Sequence, residues 1–178
     1  MLYFVILAGL ALLPASTADI VSCHCDVSRP ETLEARQCSL CREAEKQPAG
    51  VDVFFLKDVN PTKPNRWLAL PRVHGRALAD LTPAQRLDLL TKSVAKAKEL
   101  FGEEWAIAYN SPHVQTQCHV HFHLGKWMPA VEESGFVFSK SLADAPLPLD
   151  GTGFWIHPVP GGLHLHAGEL ITETVLLR

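Results

Sequence analysis

The chain has 178 residues, with 16 Lys+Arg against 19 Asp+Glu and a formal net charge of -3. No stripe of Lys and Arg appears, which excludes nucleic-acid binding by bulk electrostatics. There is no internal repeat or low-complexity tract, and the length suits one domain able to bury a proper core.

Residues 2–13 form a nearly uninterrupted apolar run, followed by Pro14 and small residues at Ser16 and Ala18. This reads as a signal-peptide core and cleavage site over residues 1–18, with the mature chain starting near Asp19 and exported. The run is short for a membrane span. No Lys or Arg precedes it, so an uncleaved anchor stays open, as does lipidation at Cys23 after Ile20-Val21-Ser22.

Five cysteines follow: Cys23, Cys25, Cys38, Cys41 and Cys118. An odd number argues against a simple disulfide framework. Cys38-Ser39-Leu40-Cys41 is a Cys-x-x-Cys that can serve zinc, redox chemistry or a disulfide. Two thiolates need two more ligands to close a tetrahedral zinc site, and His74 and His119 are candidates. Cys23-His24-Cys25 reads as a mobile extension or a second metal site.

Residues 29–46 read as one helix or two short ones, with the Cys-x-x-Cys on a helical turn. Strands are expected at 51–59 and 67–71, joined by a loop. Thr82-Pro83-Ala84-Gln85 supplies an N-cap, a first-turn proline and a capping-box glutamine for the longest helix, which Gly102 stops. Leu87, Leu90, Val94, Ala97 and Phe101 recur at helical spacing to cover a sheet, while Lys92, Lys96 and Lys98 form its solvated face. Residues 105–109 are the next strand, followed by a turn at 110–113.

The stretch that carries chemistry is Thr116-Gln117-Cys118-His119-Val120-His121-Phe122-His123-Leu124. In a strand alternate side chains point to opposite faces, so three imidazoles share one face and the apolar residues the other. Such a row needs polar partners, metal or substrate. It can hold one ion, or one imidazole can attack phosphorus while the others bind metal and phosphate. This strand and residues 105–109 should form an antiparallel pair, with Asn110 beside the histidines and able to donate to a phosphoryl oxygen.

Beyond it, a strand is expected near 135–138, a loop at 144–153, and a hairpin of 154–159 with 163–166. A last strand or edge is expected at 169–177. His157, His164 and His166 read as surface or dimer-contact residues, with a place in a substrate pocket as the alternative.

The triad resembles the histidine-triad (HIT) superfamily, whose signature is His-x-His-x-His followed by apolar residues. The resemblance covers residues 38–124 and implies an α+β fold: a HIT-like antiparallel sheet, one long helix and an N-terminal zinc-bearing segment. On this division, residues 19–127 form the HIT-like domain and 128–178 a β-rich extension packed on it. The middle histidine, His121, corresponds to the nucleophile. His123 stands where related uridylyltransferases carry Gln, which implies a hydrolase. Zinc-bearing members match at Cys38, Cys41, His74 and His119, implying structural Zn2+.

Asn110 with Thr116-Gln117 before the triad is similar to the CDP-diacylglycerol pyrophosphatase branch, whose members are membrane-anchored or exported. The implied activity is hydrolysis of a nucleotide phosphoanhydride or phosphoramidate through a nucleotidyl-phosphohistidine. His123, Asn110, Thr116 and Gln117 would orient the phosphate. The implied partners are a nucleotide-linked substrate, including a membrane lipid, and a second copy in a homodimer. The alternative is a non-catalytic metal- or nucleotide-binding protein of the cell envelope.

Overall fold

The computed structural model describes residues 23–132 and 134–178, so the signal-peptide reading of residues 1–18 lies outside the described residues. Over these the chain is α+β: a seven-stranded antiparallel sheet carries two α-helices. The elements are α1 (Ser39–Glu45), β1 (Val53–Lys57), β2 (Trp67–Pro71), α2 (Pro83–Phe101), β3 (Trp105–Tyr109), β4 (Phe122–Lys126), β5 (Phe136–Ser139), β6 (Gly153–Val159) and β7 (Gly162–Glu169). The strand order is β1-β2-β4-β3-β6-β7-β5. No described helix is long and apolar enough to cross a membrane.

The capping box and stop predicted for α2 form as expected. The Thr82 side chain accepts from Gln85 N, the Gln85 side chain accepts from Thr82 N, and Gly102 caps the C-terminus at φ 60°. Its buried residues are Leu89, Leu90, Ser93, Val94 and Ala97, whereas Leu87 is exposed. Lys98 is exposed, as expected of a solvated face, with its ammonium over the Trp105 ring, while Lys96 is half-buried over the ring of Trp67.

Strand periodicity then sorts the two faces. Ala69, Ile107, Phe122, Leu124 and Ile156 pack under α2 in the main core. The opposite face carries Phe54 and Leu70 beneath Leu40 and Ala44 of the α1 region. Further along the same face lie His123, paired with both Leu68 and Ala108, and Trp155, paired with Ala108. At the start of β6, Gly153 sits in an irregularity where an added Cβ would lie 2.7 Å from Tyr109 O and 2.8 Å from Glu169 O, so no larger residue fits.

Two expectations are corrected. Residues 169–177 are not a strand: they form a 3₁₀ turn at Glu173–Val175 and an isolated bridge between Trp127 and Leu176. The segment is tied by side chains instead of a ladder, since Asn110 Oδ1 accepts from Thr172 N and Glu173 N at 2.9 and 3.0 Å. Val175 and Leu176 then pack on Ala106, Ala108 and Trp155. Cys23-His24-Cys25 is not a loose extension either. Disulfides Cys23–Cys118 and Cys25–Cys38 fasten it, leaving Cys41 as the free, buried thiol. Four of the five cysteines pair, and an odd count was no obstacle.

Candidate functional site

The triad is only partly a strand: β4 begins at Phe122, and the chain bends at His119 before it. Alternation still holds. Val120, Phe122 and Leu124 enter the core under α2, and the imidazoles turn the other way. All three are buried, at 0%, 5% and 7% exposure for His119, His121 and His123, so none is a water-facing residue.

They separate into two environments. His119 Nε2 lies 2.8 Å from the Pro71 carbonyl, which can only accept, so this nitrogen carries the proton. Its Nδ1 is buried without a hydrogen-bond partner, and His119 belongs with Cys41 and His74 in a group whose ligand atoms all lie within 4.8 Å of one another, which leaves Nδ1 as the nitrogen free to ligate. Burial pushes His119 down to about 4, against the bond to Pro71, and keeps it neutral. Burial raises the Cys41 thiol to about 11. His74 is bound through Nε2 to Glu45 Oε1 at 2.7 Å, an outer partner of the kind that orients a ligating histidine.

Three of the four expected zinc ligands therefore converge. The fourth, Cys38, does not qualify: its sulfur is bonded to Cys25 and offers no thiolate. The Cys38–Cys41 disulfide weighed as an alternative is also absent. As it stands the group can supply three positions of a tetrahedral ion, and the donor set of one thiolate and two imidazoles suits zinc.

His121 and His123 instead line a cavity of about 710 Å³, a volume typical of small-molecule sites. His121 Nδ1 lies 2.7 Å from the backbone carbonyl of His119, so Nδ1 donates and Nε2 keeps its lone pair. Burial lowers the pKa of His121, and of His123 still further, where His121 adds to the effect; both are neutral near pH 7. Asn110 Nδ2 is 3.5 Å from His123 Nε2. That amide nitrogen remains directed to the cavity while its oxygen holds the C-terminal segment.

Thr116 is exposed at the cavity edge. Gln117 also lines it, but the carbonyls of Arg36 and Gln37 at 3.3 Å and Ser39 Oγ at 2.8 Å surround the end of its amide, and this network assigns the amide nitrogen to that side. Its donors are thus spent on the segment that the disulfides fasten. Leu40, Leu56 and Leu68 supply apolar wall; Arg36, Lys57 and Lys63 supply positive charge.

Sequence reasoning missed Glu173, Lys63 and Arg66. Glu173 Oε2 lies 3.5 Å from His123 Nδ1, 2.5 Å from Lys63 Nζ and 2.7 Å from Arg66 Nη1. Arg66 is only 2% exposed and also donates to Leu176 O at 2.8 Å. Burial works to raise the pKa of Glu173, but His123, Lys63 and Arg66 together bring it down to about 2. Since His123 is neutral near pH 7, the lasting counter-charges are Lys63 and Arg66. No local signal marks these residues, because a tail at 169–178 meets a loop at 58–66 only in the fold.

No family model matches the chain, and no curated protein matches it at a significant level.

Proposed function

We propose that the protein is a hydrolase of nucleotide phosphoanhydride or phosphoramidate bonds, related to the histidine-triad superfamily, with His121 as nucleophile. The observation that carries this reading is the His121 tautomer: Nδ1 is committed to the His119 carbonyl, leaving an unprotonated Nε2 in a polar cavity. A neutral imidazole so held attacks phosphorus without first losing a proton. Nε2 bonds to the α-phosphorus as the bond to the leaving group breaks. Water then attacks the same phosphorus, the P–N bond breaks, and nucleoside monophosphate and free His121 result. His123 and the Asn110 amide stand beside His121 to orient the phosphate and stabilise charge on its oxygens.

A purely metal-binding triad fits less well. His119 turns to Cys41 and His74, and among the described residues neither His121 nor His123 joins a group of three potential ligands. A Zn2+ ion at Cys41, His74 and His119 would anchor α1 and the loop before β2 to the triad, and Cys38 would complete the tetrahedron once its disulfide is reduced. The two disulfides support an exported protein working in an oxidising compartment. A lipid-linked nucleotide substrate and a homodimer follow from the family resemblance.

The test is turnover of CDP-linked lipids, dinucleotides and nucleoside phosphoramidates, read as release of nucleoside monophosphate. Rapid quenching with a labelled nucleotide should trap label on the wild-type chain and none on His121→Asn. Absence of monophosphate from every substrate class, or label persisting in the variant, overturns the reading.

A further inference from the structure

On the same sheet face, beyond the strands covered by Val175 and Leu176, three histidines outside the triad converge on one carboxylate. His157 of β6 is the cross-strand partner of His164 on β7, and Trp155 is the partner of His166. These four positions form a two-by-two patch on one face. The 3₁₀ turn Pro129–Val131 delivers Glu132 above it. One ligand atom from each of Glu132, His157, His164 and His166 lies within 4.8 Å of all the others.

The rings are held in fixed planes. His166 stacks on Trp155 at 3.8 Å and 4°, His157 on Trp127 at 4.0 Å and 23°, and His164 on Phe136 at 3.6 Å and 12°. Rotamers locked in this way present nitrogens without the entropy cost of ordering them on binding. His157 and His166 are 1% and 3% exposed.

His157 decides what the cluster is for. Its Nδ1 lies 3.2 Å from the Pro158 carbonyl, and a carbonyl can only accept, so Nδ1 is the donor. Nε2 is buried without a hydrogen-bond partner, yet it lies 2.8 Å from Glu132 Oε2. With a proton on Nδ1 alone, the Nε2 lone pair and the carboxylate face each other and a divalent cation drawn between them satisfies both; a doubly protonated ring would instead satisfy them as an ion pair. The other carboxylate oxygen, Glu132 Oε1, is 2.8 Å from His164 Nδ1, a hydrogen-bond distance, and 3.5 Å from His166 Nε2. A tetrahedron with bonds of about 2.0 Å has edges of about 3.3 Å, and the four ligand atoms, all within 4.8 Å of one another, would draw together around an ion. Among the described residues no lysine or arginine pairs with Glu132.

We propose that Glu132, His157, His164 and His166 form a metal site for a borderline first-row divalent ion, Zn2+ foremost, that clasps the segment after β4 onto the β6–β7 hairpin. Three imidazoles and one carboxylate suit such an ion and disfavour Ca2+ or Mg2+, which take oxygen ligands. Four protein ligands close the tetrahedron, so the role is structural. The site is independent of the catalytic reading and uses none of its residues.

The test uses the full chain carrying His74→Ala, which breaks the Cys41 cluster, stripped with chelator and titrated with Co2+. The expected result is one equivalent bound with strong tetrahedral d–d absorption, no thiolate-to-cobalt charge transfer, displacement by Zn2+ and none by Mg2+. Glu132→Gln, nearly isosteric, and His164→Ala should each weaken binding more than about tenfold, the lower end of losses seen even for outer-shell partners. Circular dichroism checks that both variants fold, and loss of binding in either folded variant suffices. No absorption change, an affinity in both folded variants equal to that of the His74→Ala parent, or a spectrum dominated by thiolate charge transfer would overturn the proposal.

Discussion

The backbone carbonyl of His119 accepts the Nδ1 proton of His121 at 2.7 Å, two residues along the same chain. The bend at His119, just ahead of β4, brings this carbonyl to the ring. The bond turns Nε2 toward the cavity as a free base. Replacing His121 by Asn should therefore preserve folding and lower turnover by about 10³-fold or more, as for other covalent nucleophiles. His123→Asn should cost less, since it orients and forms no bond to phosphorus. Steady-state kinetics beside thermal melts check both; turnover of His121→Asn close to wild type would place the nucleophile elsewhere.

Glu173 joins the C-terminal segment to the loop between β1 and β2 through Lys63 and Arg66. Glu173→Gln leaves the buried guanidinium of Arg66 without its carboxylate, and breaking one side of such a pair costs about 3 kcal/mol. Lys63→Met should cost less, about 1 kcal/mol or below, because Lys63 is the more exposed cation and the pair with Arg66 survives. Denaturant unfolding of the three proteins gives the order; equal stabilities would show that the pair contributes nothing net.

Much of this was legible in the sequence where the signal is local. The capping box of α2, strands β2 and β3 at their observed bounds, and the β6–β7 hairpin all rest on short-range patterns. So does the burial of Val120, Phe122 and Leu124 opposite the histidines. What was not legible depends on long-range pairing. Cys25 and Cys38 are 13 residues apart and Cys23 and Cys118 are 95 apart, and no spacing rule selects these partners. The same holds for Glu173 beside His123, and for Glu132 among His157, His164 and His166. The alternation that put His164 and His166 on one face was visible, but not the carboxylate or the aromatic rings that bury them.

The disulfides and the Cys41 cluster make one prediction together. Under oxidising conditions Cys38 is unavailable to metal, and any ion there has one sulfur ligand. Mild reduction of Cys25–Cys38 frees a second thiolate. Co2+ loading after reduction should show roughly twice the thiolate charge-transfer intensity of the oxidised protein, since intensity scales with the number of sulfur ligands. Cys25→Ser should behave as the reduced protein does without reductant. Equal spectra in all three states would show that Cys38 never joins the group.

Acid should destabilise the metal-free protein in two stages whose order follows from burial. His119, ordinarily near 6.5, is held down to about 4 by burial, so the unfolded chain binds its proton more readily. Stability rises with pH wherever the unfolded state binds more protons; the His119 contribution is complete above 6.5 and is lost as pH falls through 4. Burial acts in the same direction on His121 and His123. Glu173 has a folded value of about 2 against an ordinary 4.5, so its contribution is complete above 4.5 and drains away towards pH 2. Melting temperatures should therefore begin to fall below about pH 6.5, before any carboxylate titrates, and fall again below 4.5. Glu173→Gln removes the lower group alone: its melting curve should run parallel to wild type above pH 5 and flatten relative to it below. A wild-type profile that stays level from pH 6.5 to 5 would contradict the neutral, buried histidines on which the nucleophile's tautomer depends.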